Sequence, residues 1–249
     1  MAFNYERDTK QHYQSAEIAS TYHAAFAVPG GWRTLPARVV AARERAVVAQ
    51  FLDRVPHRRI LDLPAGTGKL APVLAGLGSW IVACDIASPM LEIARQAYAA
   101  AGASDATFRI CDAEQVTTTL NERFDVAVCL RLLHRVPRQV RRRILAELAA
   151  CADHVIVSVG IETPYHRMRR NSRDRLFGGG RDALCYEDVD AIRSQIAPDF
   201  HILAQKWILP WVSQEMVLLL QSKVRPRHPN VRADKRFGPP ARSRGQSVL

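Results

Sequence analysis

The chain has 249 residues, 48% of them hydrophobic, and carries 35 Lys and Arg against 24 Asp and Glu, a formal net charge of +11. That length and apolar share suffice for one sizeable core, and the positive surplus favours phosphate-bearing partners such as nucleic acid, anionic lipid headgroups or a phosphorylated metabolite. No run of about 18 apolar residues occurs, and the opening MAFNYERDTKQHYQ lacks a basic start and an apolar signal core, so neither a membrane span nor secretion is indicated and the expected location is cytoplasmic.

In chain order, residues 11–27 and 35–55 read as helical. In the second of these Leu35, Val39, Val40, Ala46, Val47 and Phe51 recur at spacings of one apolar face, suited to packing on a sheet or covering a cleft. Short apolar runs then alternate with helical segments. The runs are 59–63 (RILDL), 80–85 (WIVACD), 107–111 (TFRIC), 124–130 (FDVAVCL) and 154–159 (HVIVSV), each too short for a helix and rich enough in Val and Ile for a buried parallel strand. Helices are expected over 69–77, 88–101 and 137–151, with Ser88 as an N-cap before Pro89 and with Pro137 opening its helix in the same way. This repetition is that of a doubly wound α/β sheet, whose ligand lies at the carboxyl ends of the strands. A helix near 187–196 leads to extended runs at 200–209 and 213–222, too close together for a parallel crossover and therefore an antiparallel hairpin.

The division that follows is a helical cap segment over 1–55, an α/β domain over 56–223 and a tail over 224–249. The tail carries seven Lys and Arg against one Asp, is rich in Pro, Gly and Ser, and has too little apolar surface to offset the entropy of ordering. A second basic stretch, 165–182, has six arginines against two aspartates and reads either as an anion-binding pocket or as a solvated loop ending in Gly178, Gly179 and Gly180. Cys84, Cys111, Cys129, Cys151 and Cys185 form no C-x-x-C pair, which fits buried thiols and no metal site.

The sharpest local signal is Asp62-Leu63-Pro64-Ala65-Gly66-Thr67-Gly68, a strand running into a glycine turn and then a helix. Gly66 and Gly68 let the backbone approach a ligand closely, and the helix start offers N–H groups to a negative end. Asp85 ends the second strand 19 positions after Gly66, where a carboxylate can accept two ribose hydroxyls, and Asp112 ends the third. As a bare string, Gly66-x-Gly68-x-x-Ala71 with Asp85 also satisfies a dinucleotide pattern. Asp62, Pro64, Asp112 and the closing hairpin speak against that reading, and Leu70 after Lys69 excludes a P-loop.

Taken together, 62–68 (DLPAGTG), 84–95 (CDIASPMLEIAR), 110–114 (ICDAE) and 124–136 (FDVAVCLRLLHRV) resemble the successive motifs of class I S-adenosylmethionine-dependent methyltransferases, in particular the small-molecule group that includes ubiquinone and menaquinone biosynthesis enzymes. The likeness covers about residues 55–160, and Pro64 departs from it where many members have Gly. It implies a Rossmann-like sheet of five parallel strands closed by an antiparallel hairpin, with helices on both faces, and S-adenosylmethionine as cofactor. On this reading Asp62 meets the ammonium group directly or through water, and Pro64, Ala65, Gly66 and Gly68 shape the turn. Asp85 takes the ribose, Asp112 the adenine amino group, and Ile86, Ala113 and Leu130 complete the cofactor set.

Methyl transfer from a sulfonium is an in-line displacement that needs alignment and exclusion of water, with a base only where the acceptor must lose a proton. His134 is the first candidate base or substrate contact, with helix–strand packing as its alternative. Glu162, Tyr165, His166, Tyr13, Tyr22 and His23 stand behind it. Arg167, Arg169 and Arg170 are the candidate substrate contacts, and their planar forks favour an anionic small-molecule or glycan acceptor. An RNA methyltransferase is the alternative raised by the basic surface and tail, although 130–134 (LRLLH) has no Pro-Pro-Tyr-like run and Cys129 no preceding proline. A non-catalytic binding or scaffold protein on the same fold is a third reading.

Overall fold

The structure, a computed structural model, describes residues 35–177, 185–210 and 213–224. Among them the elements run α1 (Leu35–Leu52), β1 (Arg59–Asp62), α2 (Ala71–Leu74), β2 (Trp80–Asp85), α3 (Ser88–Ala100), β3 (Thr107–Ile110), α4 (Val116–Leu120), β4 (Phe124–Cys129), α5 (Arg138–Cys151), β5 (Ala152–Gly160), α6 (Pro164–Phe177), α7 (Val189–Ile196), β6 (Phe200–Trp207) and β7 (Glu215–Ser222).

The strands form one seven-stranded sheet in the order β3-β2-β1-β4-β5-β7-β6. Strands β1 to β5 pair in parallel, and β7 runs antiparallel to both β5 and β6. This is the five-stranded parallel sheet closed by a hairpin, with the second hairpin strand inserted between β5 and the first. The alternation of side chains along each strand divides the core in two. Leu61, Val82 and Ala127 face α4, α5 and α7, packing with Val116, Ile144 and Ile192. Ile60, Ile81 and Val126 face the other way, onto Phe51 of α1, Leu74 of α2 and Ala94 of α3. The order of strands turns between β1 and β4, and the carboxyl ends of β1 to β5 open on one side, where α/β sheets bind ligands.

Several boundaries move. Only Ala71–Leu74 is α-helical in the segment expected as a helix over 69–77, and a 3-10 turn at Ala75–Leu77 ends on Gly78 at φ 64°. Ala87, not Ser88, occupies the cap of α3, with no side-chain cap; its extended backbone donates an N–H to Asp85 Oδ1 at 2.9 Å, which ties the helix start to the end of β2. Pro137 precedes its helix rather than opening it. The buried face of α1 is Ala41, Glu44, Val47, Val48, Phe51 and Leu52, whereas Val39 and Ala46 are exposed. The arginine-rich stretch is not a loop from the start: after Pro164 at its first position, α6 runs to Phe177 without Gly or Pro, in a segment rich in helix-favouring arginine. The helix at 11–27, the tail from 225 onward and Gly178–Gly180 fall outside the described residues. Among the described residues no helix is long and apolar enough to cross a membrane, and no group of His, Cys, Asp or Glu is arranged to hold a metal ion.

Candidate functional site

The turn after β1 is held by its neighbours. Leu63 donates its N–H to the Val128 carbonyl at 3.0 Å and Ala65 to the Cys84 carbonyl at 2.7 Å, so the chain leaves the sheet between β2 and β4. Gly66 sits at φ 53° and donates its N–H to Asp85 Oδ2 at 2.9 Å. Gly68, at φ 75°, serves packing instead, since a Cβ there would meet the Ala97 Cβ at 2.8 Å and the Ala94 backbone at 3.1 Å. Its lack of a side chain lets the turn rest on α3.

Beside this turn lies a cleft whose wall includes Asp62, Pro64, Ala65, Gly66, Asp85, Ile86, Asp112, Ala113 and Leu130. Nine of the ten residues read from the sequence as cofactor contacts therefore face one space, and Gly68 stands outside the wall. Counted to its open mouth the cleft has about 1150 Å³ of empty space, on the scale of sites for drug-sized ligands. Asp62 is 1% exposed and accepts a hydrogen bond from the Tyr98 hydroxyl at 2.7 Å. Burial, opposed by that bond and assisted by the Asp85 charge, pushes its carboxyl up to about 7. Burial also raises Asp85, against the N–H bonds from Ala87 and Gly66. Asp112 accepts the Glu114 N–H at 3.0 Å. Two buried carboxylates raised in this way favour a ligand that brings positive charge.

Toward β4 and α1 the wall changes character. Arg45, Lys69, Arg131 and Arg135 line it together with Glu44. Glu44 is 4% exposed, and Arg131 grips it with Nε at 3.1 and 3.0 Å from its two oxygens and Nη2 at 2.7 Å. Arg131 itself sits at φ 59°, an uncommon backbone for a non-glycine residue, with its N–H given to Ser158 Oγ at 2.7 Å. Burial and then the Arg131 charge lower Lys69 to about 6. Sequence reasoning missed Glu44, Lys69, Arg131 and Tyr98 as site residues; the one available signal was a lone acid in the buried stripe of α1.

His134 does not face the cleft. It is 8% exposed, its ring stands 6.0 Å from that of Tyr186, and its Nδ1 is buried without a hydrogen-bond partner. Burial and the charges of Arg135, Arg131 and Arg141 lower it to about 3, so it is neutral at physiological pH and a weak base. Its surroundings provide packing between the post-β4 turn and the 185–187 strip, the alternative that the sequence offered beside a catalytic role. Arg167 and Arg169 are exposed on α6 away from the wall, with Arg167 paired to Glu162 at 3.1 Å, and the Arg170 side chain lies outside the described residues. His166 is turned inward and shares a 2.8 Å hydrogen bond with Thr163, while Tyr165 is exposed. Tyr13, Tyr22 and His23 lie outside the described residues.

A family model described as a methyltransferase domain matches residues 60–153, the span from β1 to the start of β5. Over that span the chain is similar to a methyltransferase domain, and the sheet around it has the fold of S-adenosylmethionine-dependent methyltransferases of known structure. Among curated proteins similar to this chain, the ubiquinone biosynthesis O-methyltransferase of Alkalilimnicola ehrlichii is 30% identical over 130 residues, covering 52% of this chain and 49% of the relative. That of Hahella chejuensis is 28% identical over 130 residues, covering 51% of each. The matched stretch thus spans about half the length of these relatives. In fold, the chain is similar to the crystal structure of magnesium protoporphyrin IX methyltransferase from Synechocystis PCC 6803 with bound SAH, at a TM-score of 0.73 and 19% identity, over 87% of this chain and 99% of that one.

Proposed function

We propose that the chain transfers a methyl group from S-adenosylmethionine to an anionic small-molecule or glycan acceptor by in-line displacement. The observation that supports this is the charge layout of the cleft: raised carboxylates at the ends of β1 and β2, and a wall of Arg45, Arg131 and Arg135 toward β4 and α1. When bound, the cofactor supplies a methyl group on a positively charged sulfur. Asp62 would balance the ammonium group, since a nearby cation favours the ionised form that burial disfavours. Asp85 would take the ribose hydroxyls on lone pairs left after its two N–H bonds. Asp112, with Ile86 and Ala113, would border the adenine, the backbone of 64–66 would lie against the carboxylate end, and Leu130 would form an apolar wall that keeps water from the reacting centre.

In this reading the acceptor's negative group is held by Arg45 and Arg135 on the same wall, whose forks suit carboxylate or phosphate, while Arg131 stays with Glu44 and adds its charge. They take the place first given to Arg167, Arg169 and Arg170. The curated relatives are named O-methyltransferases, which favours an oxygen acceptor, and an oxygen that arrives as an anion needs no base.

Two measurements test the proposal in sequence. S-adenosylhomocysteine at about 100 times its Kd should stabilise the protein by ~2.7 kcal/mol in thermal unfolding, whereas NAD should not. With labelled methyl donor and cell extract, label should enter the small-molecule or polysaccharide fraction. Label in RNA would replace the proposal with the nucleic-acid alternative, and cofactor binding without any labelled product would favour the scaffold reading.

A further inference from the structure

Behind the Glu44–Arg131 pair lies a third charged side chain that the cleft wall does not include. Glu215, the first residue of β7, is 9% exposed, and its Oε1 is buried with no hydrogen-bond partner. In the β5–β7 register Glu215 stands opposite Gly160, two residues beyond Ser158, whose Oγ holds the Arg131 N–H; the charges of Glu44 and Arg131 and the Ser158 hydroxyl act on its carboxyl, and Lys69 from the turn after β1 feels its charge. Ser158 Oγ already accepts the Arg131 N–H, so its own hydrogen is available to Glu215. Two carboxyl groups facing each other inside the protein, with one guanidinium already engaged by the first, are compatible only when the second carries a proton.

We infer that Glu215 is a positioning residue of the cofactor site: it backs Glu44, keeps the Glu44–Arg131 pair seated against the cleft, and so holds α1 against the bound cofactor. The inference rests on the S-adenosylmethionine reading of the cleft. Burial and the facing Glu44 push Glu215 up to about 8, so the protonated form prevails at neutral pH. Above that range Glu215 becomes a second anion beside Glu44, and the seat of α1 is weakened.

The test is the dissociation constant of S-adenosylhomocysteine from the full chain as a function of pH, for wild type and for Glu215→Gln, an uncharged mimic of the protonated side chain. Asp62 also titrates in this range, with the opposite sign for a cationic ligand, but it is common to both proteins and cancels in their ratio. The ratio of wild-type to Gln Kd should be near unity at about pH 6.5 and should rise about three- to tenfold by about pH 9. Glu44→Gln, with folding checked by its thermal unfolding transition, should raise Kd at every pH and flatten the additional alkaline loss. A ratio that stays constant across the range overturns the role of Glu215, since a residue that merely packs would change affinity without changing its pH profile. Failure of the wild type to bind the ligand at any pH would instead overturn the cofactor reading.

Discussion

The cleft has two sides assembled in different ways. Asp62, Asp85 and Asp112 end three strands that are neighbours in the sheet, and each acid is fixed by donors from its own turn, the next turn or a single adjoining helix. Glu44, Arg131, Ser158 and Glu215 come from α1, the end of β4, β5 and β7, and meet only because β7 inserts beside β5 and α1 crosses the sheet ends. The first side is a repeated local device, a strand end with an acid. The second is a convergence of single residues, each dependent on the placement of the others. A cofactor common to a fold can be bound by the first kind of construction, while acceptor choice and closure can vary with the second.

The support of the second side should be the easier to break by a substitution remote from the cleft. Arg141 of α5 is 1% exposed and bonds the Leu133 carbonyl at 2.8 Å, Cys185 carbonyl at 2.8 Å, Glu187 at 3.0 Å and Gln195 at 3.4 Å, tying the post-β4 turn to the strip before α7. Arg141→Met should cost about 3–5 kcal/mol in urea unfolding, because it removes the counter-charge of Glu187, which keeps only the Gln195 amide at 2.6 Å, and strands the Leu133 and Cys185 carbonyls. A cost below about 1 kcal/mol would show that the turn holds itself.

The first side should lose affinity without losing stability. Asp62→Asn should weaken S-adenosylhomocysteine binding by about 1.5–3 kcal/mol, roughly ten- to a hundredfold in Kd by calorimetry. Its effect on the ligand-free fold has the opposite sign. The folded Asp62 titrates near 7 and the unfolded near 3.8, so the native state binds more protons between those values and stability falls as pH rises through that window. The Asn variant should be more stable than wild type at neutral pH and show a flatter decline over the same window in denaturant titrations. Unchanged affinity would remove Asp62 from the site.

The smallest effect belongs to the arginine-rich helix. Arg167 is 62% exposed in its pair with Glu162, and Arg167→Ala should change stability by no more than about 0.5 kcal/mol and methyl transfer by no more than about twofold. A large loss of transfer at unchanged stability would return the acceptor contact to α6 and blur the contrast between the two sides.

The succession of strands and helices along the chain and the acids that gather on one side of the cleft could be read from residues alone because both depend on short-range rules. Buried parallel strands must be short and apolar, a tight turn beside a ligand must contain glycine, and strand ends in this topology point to one edge. Thus Gly66, Asp85 and Asp112 announced their places, although the pattern overreached at Gly68, whose spacing is equally that of a packing contact with Ala94 and Ala97. The surroundings of His134 were hidden for a related reason: its ordinary pKa suits a base, and nothing in its neighbours along the chain reveals that burial and three arginines lower it to about 3. Tertiary structure alone decided that α1 turns Glu44 inward, that Arg131 adopts a left-handed backbone to meet it, and that Glu215 stands behind them. Local periodicity records which face of an element is apolar, but the protonation and partner of a buried charge depend on what the fold brings against it from distant parts of the chain.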